Sequence, residues 1–320
     1  GIVGMGGAGF PTHVKLSPPP NKPIRTLIIN GAECEPYLTA DNRLMIEHAD
    51  KIWAGADIIR SILDVKETYI AIEDNKPDAI QAMEKAIARS EGSITIVKLP
   101  TGYPQGAEKQ QIFAITGREV PSGGLPMDVG AVVENVGTTF AIWDALANGR
   151  PLIERITTVT GSPVIKPSNV RARIGTAYSA LIEFCGGTNG KDVKVISGGP
   201  MMGFAQHSLD VTTTKTTSGI MLLPKSLVHE YQSMPCISCG RCINVCPMNL
   251  VPAELSQCLE AEDYETAEIN NVMDCIECGC CAFECPAHRP LVQHMRRGKA
   301  VITMRRSEKQ AKEIAKRQEA

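Results

Sequence analysis

The sequence predicts an α/β protein with a parallel sheet at its front, a small β unit in the middle and a helical, cysteine-rich region at the end. Three observations support this prediction. Strand-like and helix-like segments alternate from residue 24 to residue 100, further strand patterns follow residue 154, and eight of the twelve cysteines fall in two short motifs after residue 235. Alternating β-α-β-α-β segments are typical of a doubly wound parallel sheet.

The front segments are predicted to be strand, helix, strand, helix and strand, in that order. Their sequences are IRTLIIN, NRLMIEHADKIWAGADIIRSILD, ETYIAIE, KPDAIQAMEKAIARS and SITIVKLP. QGAEKQQIFAITG and VENVGTTFAIWDALANG predict two further helices, because their apolar residues recur at helical spacing. Ligands of such sheets bind beyond the carboxyl ends of the strands. The glycine-rich opening GIVGMGGAGF and the segment NGAECEP, directly after the first strand, are therefore candidates for that crevice.

The middle and end of the chain have different patterns. RITTVTG, NVRARIGTAYSALIEFCGG, DVKVISGGPMMG and SGIMLLP predict a strand, a turn plus helix, a strand and a final strand, which make a compact β unit with one helix. Helical patterns surround the two cysteine motifs, and the chain ends in a charged helix. The predicted divisions are 1–153, 154–225, 226–303 and a basic tail, 304–320.

Composition limits the class of protein. The 320 residues are enough for two or three domains, and no apolar run approaches the roughly 20 residues of a membrane helix. The net charge is −2, but the last 27 residues carry nine lysines and arginines against three acids. This tail favours docking to a membrane partner or an anionic lipid surface, with a solvated amphipathic helix as the alternative. No nucleic-acid-binding motif accompanies it.

The cysteine motifs carry the strongest chemical signal. CISCGRCINVCP and CIECGCCAFECP both follow the C-x2-C-x2-C-x3-C-P spacing of two-cluster bacterial ferredoxins, in which the fourth cysteine ligates the other cluster. The spacing predicts two [4Fe–4S] clusters with crossed ligands, and it predicts that each proline begins a helix. The predicted ligand sets are Cys236, Cys239, Cys242 and Cys285 for the first cluster, and Cys275, Cys278, Cys281 and Cys246 for the second.

Structural zinc is the alternative reading of these motifs, although zinc sites usually use paired C-x2-C knuckles. Clustered thiols at ligand spacing also indicate a reducing compartment. Of the other cysteines, Cys185 and Cys258 are interpreted as packed thiols and Cys280 as a neighbour of a cluster. Cys34 is interpreted as an inert small residue, with ligand contact as the alternative.

Four front fragments, GMGGAGFPTHVK, NGAECEP, YPQGAEKQ and VENVGTT, followed by the two cysteine motifs, resemble the RnfC family of the Rnf electron-transport complexes. The front fragments are also similar to the flavin subunit of respiratory complex I, and the middle unit resembles the SLBB (soluble-ligand-binding β-grasp) domain. The resemblance implies a Rossmann-like domain for FMN and NADH, an SLBB domain and a helical two-cluster ferredoxin domain. It also implies that a segment found before this region in the family is missing here.

The resemblance also implies roles for individual residues. Binding of FMN or of the nicotinamide dinucleotide is implied for Gly4, Gly6, Gly7, Phe10, Lys15, Asn30, Glu33, Glu35, Gly106, Glu108, Asn135 and Thr138. The glycines would let the flavin approach the backbone, and Lys15 would supply positive charge. Asn30 and Glu33 would bind the flavin, and Glu35 the dinucleotide. Met5, Ala32 and Ala107 differ from complex I, as does the segment LSPPP after the lysine.

The function expected from the resemblance is electron transfer between NADH, FMN and two [4Fe–4S] clusters, with no side chain required as an acid or base. The expected partners are NAD(H) and the membrane and iron–sulfur subunits of an Rnf-type complex, with nucleic acid excluded. The expected location is peripheral, on the cytoplasmic face of the bacterial cell membrane. Two alternatives stay open, a cobalamin reductase of a bacterial microcompartment and a non-enzymatic iron–sulfur carrier or scaffold.

Overall fold

The computed structural model describes residues 1–88, 94–190, 192–228 and 232–319. They form two compact units, Gly1–His229 and Glu230–Ala320. The last residues of the predicted segment KPDAIQAMEKAIARS and the first residue of SITIVKLP lie outside the described residues, as do Ala320 and the side chains of residues 317–319.

The first unit contains the predicted parallel sheet. Its strands are β1 (Thr26–Asn30), β2 (Glu67–Glu73), β3 (Thr95–Leu99) and β4 (Ala131–Asn135). They lie in the order β3-β2-β1-β4, and every neighbouring pair is parallel. The central strand β1 is apolar at successive positions because helices cover both faces of the sheet. Leu27 and Ile29 pack on one face and Ile28 on the other, each fully buried.

Five helices accompany this sheet: α1 (Thr12–Lys15), α2 (Ala40–Leu63), α3 (Pro77–Ile87), α4 (Glu108–Thr116) and α5 (Val136–Asn148). Apolar residues of α2, α3 and α5 share a core with one face of the sheet, and Ile112 of α4 packs on the other. The backbones of α2 and α5 approach closely at Gly55, where a Cβ would lie 2.2 Å from the carbonyl oxygen of Thr139.

The segment VENVGTTFAIWDALANG is not one helix, as predicted, because its first residues belong to β4. Val133, Val136 and Phe140 mimic helical spacing, but Asn135 ends the strand and caps the helix that begins at the next residue. Its side-chain oxygen accepts hydrogen bonds from the backbone N–H groups of Gly137 (2.8 Å) and Thr138 (3.4 Å). Strand and helix therefore meet with no intervening turn to separate them in the sequence.

The rest of the first unit is a mixed five-stranded sheet with one helix. Its elements are β5 (Glu154–Thr160), β6 (Ser168–Arg173), α6 (Tyr178–Phe184), β7 (Val193–Ser197), β8 (Phe204–Gln206) and β9 (Gly219–Pro224). The order is β6-β5-β9-β7-β8, with β5 and β9 parallel. The sequence prediction missed β6, which it treated as a turn, and β8, which is only three residues long.

The second unit is helical. Its helices are α7 (Arg241–Asn244), α8 (Pro252–Glu260), α9 (Tyr264–Ile269), α10 (Cys280–Phe283) and α11 (Leu291–Glu319). Buried residues of α8, α9 and α11, including Leu259, Ala267 and Ile302, form its core. The predicted start of a basic tail at residue 304 lies inside α11, which begins in the core and continues into its charged end. No helix among the described residues has the length and apolarity to cross a membrane.

Candidate functional site

The glycine-rich opening lies against the start of α5. The backbone N–H of Met5 donates to the hydroxyl of Thr138 at 2.9 Å, and a Cβ on Gly6 would lie 3.6 Å from that of Asn135. The N–H of Gly4 donates to the carbonyl of Phe10 at 2.8 Å, which closes the loop. The structure thus brings the opening loop together with the segment VENVGTT, at the carboxyl ends of β1 and β4.

The remaining glycine of the loop has the backbone freedom that a bare binding surface needs. Gly7 has φ +130°, a region that side chains rarely adopt, and nothing lies within 4 Å of the position of a Cβ. The ring of Phe10 nearby is 48% exposed, which is high for a phenylalanine. Backbone and ring are both open to a flat ligand here.

Lys15 and Asn30 join the other two fragments to this region. The ammonium of Lys15 lies 2.9 Å from the carboxylate of Glu108. The amide nitrogen of Asn30 donates to the carbonyl of Gly106 at 2.8 Å, and its oxygen accepts from the backbone N–H of Ala32 and from the side chain of Gln111. The side chain of Asn30, expected to bind flavin, holds the loop after β1 against the start of α4.

The buried carboxyl group of Glu134 is a site residue that the sequence analysis missed. It is 1% exposed, and neither oxygen has a hydrogen-bond partner among the described residues. Burial, aided by the charge of Glu108 and opposed by that of Lys15, raises its pKa from 4.5 to about 7. A buried carboxyl group without a partner costs free energy. Its position at the end of β4, next to Asn135, was the available signal.

Glu33 faces the beginning of α2 and does not point freely into a cavity. Its carboxylate accepts the backbone N–H groups of Asp41 (2.8 Å) and Asn42 (3.0 Å), in the first turn of the helix. Burial and the nearby carboxylate of Asp41 raise the pKa of Glu33 to about 8, although the two hydrogen bonds lower it. Asp41 in turn accepts from the side chain of Asn135 at 2.6 Å. Asp41 therefore links Glu33 to the cap of α5.

Glu35 is bound by the mixed sheet. Its carboxylate accepts the N–H groups of Met201 (2.6 Å) and Met202 (3.1 Å) in the turn between β7 and β8, and the hydroxyl of Tyr103 at 3.3 Å. A Cβ on Gly199 would lie 2.1 Å from Cγ of Glu35, so only glycine leaves room for this carboxylate. The residue expected to bind the dinucleotide fastens the loop after β1 to this turn.

The predicted crevice at the strand ends is present as an open cavity of about 450 Å³. Its lining includes Glu33, Cys34, Glu35, Glu73, Lys76 and Tyr103. Lys76 and Glu73 form a buried ion pair at 2.8 Å on its wall. The Cys34 thiol accepts the N–H of Gly106 at 3.1 Å, and burial raises its pKa to about 11. The thiol is therefore a packed, protonated group at neutral pH.

The second unit places the eight motif cysteines around two cavities. Cys236, Cys239, Cys242 and Cys285 line a cavity of about 260 Å³. Cys246, Cys275, Cys278 and Cys281 line a tighter one of about 20 Å³, whose side chains must move apart to admit a cluster. Each cavity takes three thiols from one motif and the fourth from the other.

Both motifs have the same backbone. Ser238 and Glu277 have φ values of 55° and 57°, and Asn249 and His288 have 53° and 48°. The two prolines do not begin helices, as predicted: Pro247 and Pro286 lie in turns, and the following helices begin at residues 252 and 291. The fourth cysteine of each motif is placed by a turn rather than by a helix start.

The thiols surround space and do not converge on a point. Among the described residues, no group of three or more histidine, cysteine or acidic side chains is arranged to hold a single metal ion. A cubane cluster is ligated at four separate corners, so four thiols spread around a cavity suit [4Fe–4S] better than zinc. The donor set and its arrangement fit that group.

Comparison with known proteins agrees with this architecture. Residues 1–144 match the family model of the Nuo51 FMN-binding domain, and residues 156–205 match the SLBB domain. The chain is 48% identical over 306 residues to the RnfC protein of the Na(+)-translocating ferredoxin:NAD(+) oxidoreductase complex of Acetobacterium woodii, covering 96% of this chain and 69% of that protein. The chain belongs to the RnfC family.

Other relatives of this RnfC chain have the same place in their complexes. It is 56% identical over 297 residues to the RnfC protein of the proton-translocating ferredoxin:NAD(+) oxidoreductase complex of Clostridium ljungdahlii, covering 92% of this chain and 65% of that protein. It is 48% identical to the corresponding protein of the ion-translocating oxidoreductase complex of Pseudomonas aeruginosa, spanning 39% of that protein's length. This chain thus corresponds to between 39% and 69% of these three relatives.

Solved structures show the fold at greater distance. The NAD+-reducing [NiFe]-hydrogenase in its H2-reduced state aligns with a TM-score of 0.64 and 18% identity, covering 93% of this chain and 60% of that one. Its air-oxidized state aligns with a TM-score of 0.62. The α/β fold with an SLBB domain and a helical end is therefore shared well beyond the RnfC family.

Proposed function

We propose that this chain is the electron-transfer subunit of a ferredoxin:NAD oxidoreductase complex, which binds FMN and NADH in its first unit and two [4Fe–4S] clusters in its second. The observation that supports this most directly is the pair of four-thiol cavities, in a chain whose first 144 residues match the Nuo51 FMN-binding domain. When bound, FMN would exchange hydride with NADH, and the clusters would carry single electrons.

In this proposal the residues of the first unit bind and orient the cofactor. The glycine loop offers bare backbone at Gly7, and the N-terminus of α5, capped by Asn135, favours an anionic group such as a phosphate. Lys15 supplies positive charge, and Glu134 offers a buried carboxyl group with no partner of its own among the described residues. Asn30 and Glu33 hold the neighbouring loop in place from inside the protein.

The remaining proposals concern binding of the dinucleotide and location. The open cavity at the strand ends is the proposed place for NADH, with Glu35 on its wall. By analogy with the named relatives, the partners are the other subunits of a membrane-bound complex. The chain would associate with the cytoplasmic face of the membrane through those subunits.

Reconstitution tests this proposal. The purified chain is incubated anaerobically with iron, sulfide and FMN, desalted, and analysed for bound flavin, iron and acid-labile sulfide. We expect one FMN and about eight iron atoms per chain, since each [4Fe–4S] cluster holds four. A chain that takes up iron and sulfide but no flavin would support the carrier or scaffold alternative. Reduction of cobalamin by the loaded protein would favour the microcompartment alternative.

A further inference from the structure

Arg289 is a buried charge on the wall of the first cysteine cavity. Its side chain is only 8% exposed. One terminal nitrogen donates to the hydroxyl of Ser256 at 3.0 Å and to the carboxylate of Glu260, and the other approaches the carbonyl of Met234 at 3.5 Å. The Nε–H is buried and has no hydrogen-bond partner among the described residues. A buried donor left unpaired in this way calls for a ligand.

The repeat shows that this arginine distinguishes the two cavities. Arg289 is the fourth residue after Cys285, and the fourth residue after Cys246 is Leu250. Leu250 lines the second cavity as Arg289 lines the first. Because the turns before them have matching φ values at His288 and Asn249, the two residues occupy equivalent places. One cavity therefore has a guanidinium where the other has an aliphatic side chain.

A guanidinium at this place favours the reduced form of a cluster. Reduction adds negative charge, and potentials of iron–sulfur clusters rise with positive charge and with hydrogen bonds to their sulfur atoms. Glu260 offsets part of the charge of Arg289, but it is 43% exposed and solvent screens it, whereas Arg289 is buried. The Nε–H remains available to donate to a thiolate or sulfide in the cavity.

We propose that Arg289 is a positioning residue that raises the reduction potential of the cluster ligated by Cys236, Cys239, Cys242 and Cys285 above that of the other cluster. Electrons that enter the second unit then collect on this first cluster. The inference rests on the proposed function, because it requires both clusters to be present.

The test is an EPR-monitored redox titration of the reconstituted full chain and its variants. Arg289→Gln should lower the potential of one cluster by at least the equivalent of a tenfold change in its reduced-to-oxidised ratio, about 59 mV for one electron. Glu260→Gln removes the counter-charge and should shift the same cluster upward. Arg306→Gln, which breaks an exposed ion pair with Glu268 on the same unit, is the control and should shift neither. Cys239→Ser identifies which signal belongs to the first cluster.

Each outcome decides the proposal. Unchanged potentials in a fully loaded Arg289→Gln protein overturn it, as does a shift confined to the second cluster. If Arg289→Gln fails to assemble the first cluster, Glu260→Gln decides instead: an upward shift supports the inference, and an unchanged potential contradicts it. Absence of both clusters from the unaltered chain would refute the proposed function itself, which iron and sulfide analysis recognises separately.

Discussion

At the residue scale, the candidate flavin site depends on how its acids are buried. Glu33 and Glu134 are both in the segments that the sequence singled out, yet only the first was predicted as a site residue. Sequence spacing shows that a carboxyl group lies at a strand end, but it does not show whether a backbone N–H meets it. Glu33 finds two such partners and Glu134 finds none among the described residues.

The buried carboxyl group of Glu134 makes the stability of the first unit depend on pH. Its folded pKa of about 7 exceeds its ordinary 4.5, so the folded state binds the proton more tightly. Stability therefore falls as pH rises from 4.5 to 7 and stays low above that, by about 3 kcal/mol at 1.36 kcal/mol per pKa unit. We expect Glu134→Gln to flatten this decline and to be more stable than the unaltered protein at pH 8.

Urea unfolding across this pH range measures the effect through the two tryptophans, Trp53 and Trp143, which both lie in the first unit. The control is Glu47→Gln, at an exposed ion pair on α2. A decline in the Glu134→Gln protein as steep as that of the control would show that Glu134 does not carry the pH dependence.

Lys15 contributes positive charge to the proposed FMN site. We expect Lys15→Met to weaken FMN binding at least about tenfold, because losing a hydrogen bond to a charged group costs roughly 1.5–3 kcal/mol. Quenching of flavin fluorescence on binding gives the affinity. Lys22→Met removes another lysine with a single ion pair, to Asp128, and should leave the affinity unchanged. Equal losses in both variants would assign the effect to the charge of the whole segment.

At the scale of secondary structure, local patterns gave the strands and helices that stand alone. β1, β2 and α2 have the predicted type because an apolar period and a turn mark each of them. β4 was missed because it passes into α5 at Asn135 without a turn, and its partner β1 lies about a hundred residues earlier. Pairing between distant segments decides such strands, and a single sequence does not display it.

The turn between β7 and β8 is the contact through which the SLBB domain holds the loop after β1. We expect Gly199→Val to expel the Glu35 carboxylate, destabilise the first unit by about 1–3 kcal/mol, and speed amide hydrogen exchange at Met201 and Met202. Mass spectrometry of peptides covering the turn measures the exchange. Gly102→Ala is the control, since nothing lies within 4 Å of its Cβ position. Unchanged exchange in the valine variant would mean that Glu35 does not protect these amides.

At the scale of the whole molecule, the internal repeat of the cysteine motifs organises the second unit. The motif spacing predicted which four thiols lie together, and the structure places those sets around two cavities. The difference between Arg289 and Leu250 was not predicted, because it becomes visible only when the two cavities are compared in space.

The crossed arrangement predicts which cluster each cysteine variant loses. Cys246→Ser, although in the first motif, should remove the same cluster as Cys278→Ser, whereas Cys236→Ser should remove the other. Each variant should keep about four of eight iron atoms. Iron analysis with EPR of the remaining cluster distinguishes them, and Cys258→Ser, which lines neither cavity, should keep both clusters. Loss of the same signal in Cys246→Ser and Cys236→Ser would mean that the ligands are not crossed.

The central claim is that electrons pass from NADH through bound FMN to the clusters of this one chain. Its most direct test is anaerobic addition of NADH to the reconstituted protein, with flavin absorbance and the EPR signal of reduced clusters recorded together. The account predicts that NADH bleaches the flavin, and that cluster reduction requires FMN to be present. A flavin that stays oxidised under excess NADH, or clusters reduced equally well without FMN, would contradict it.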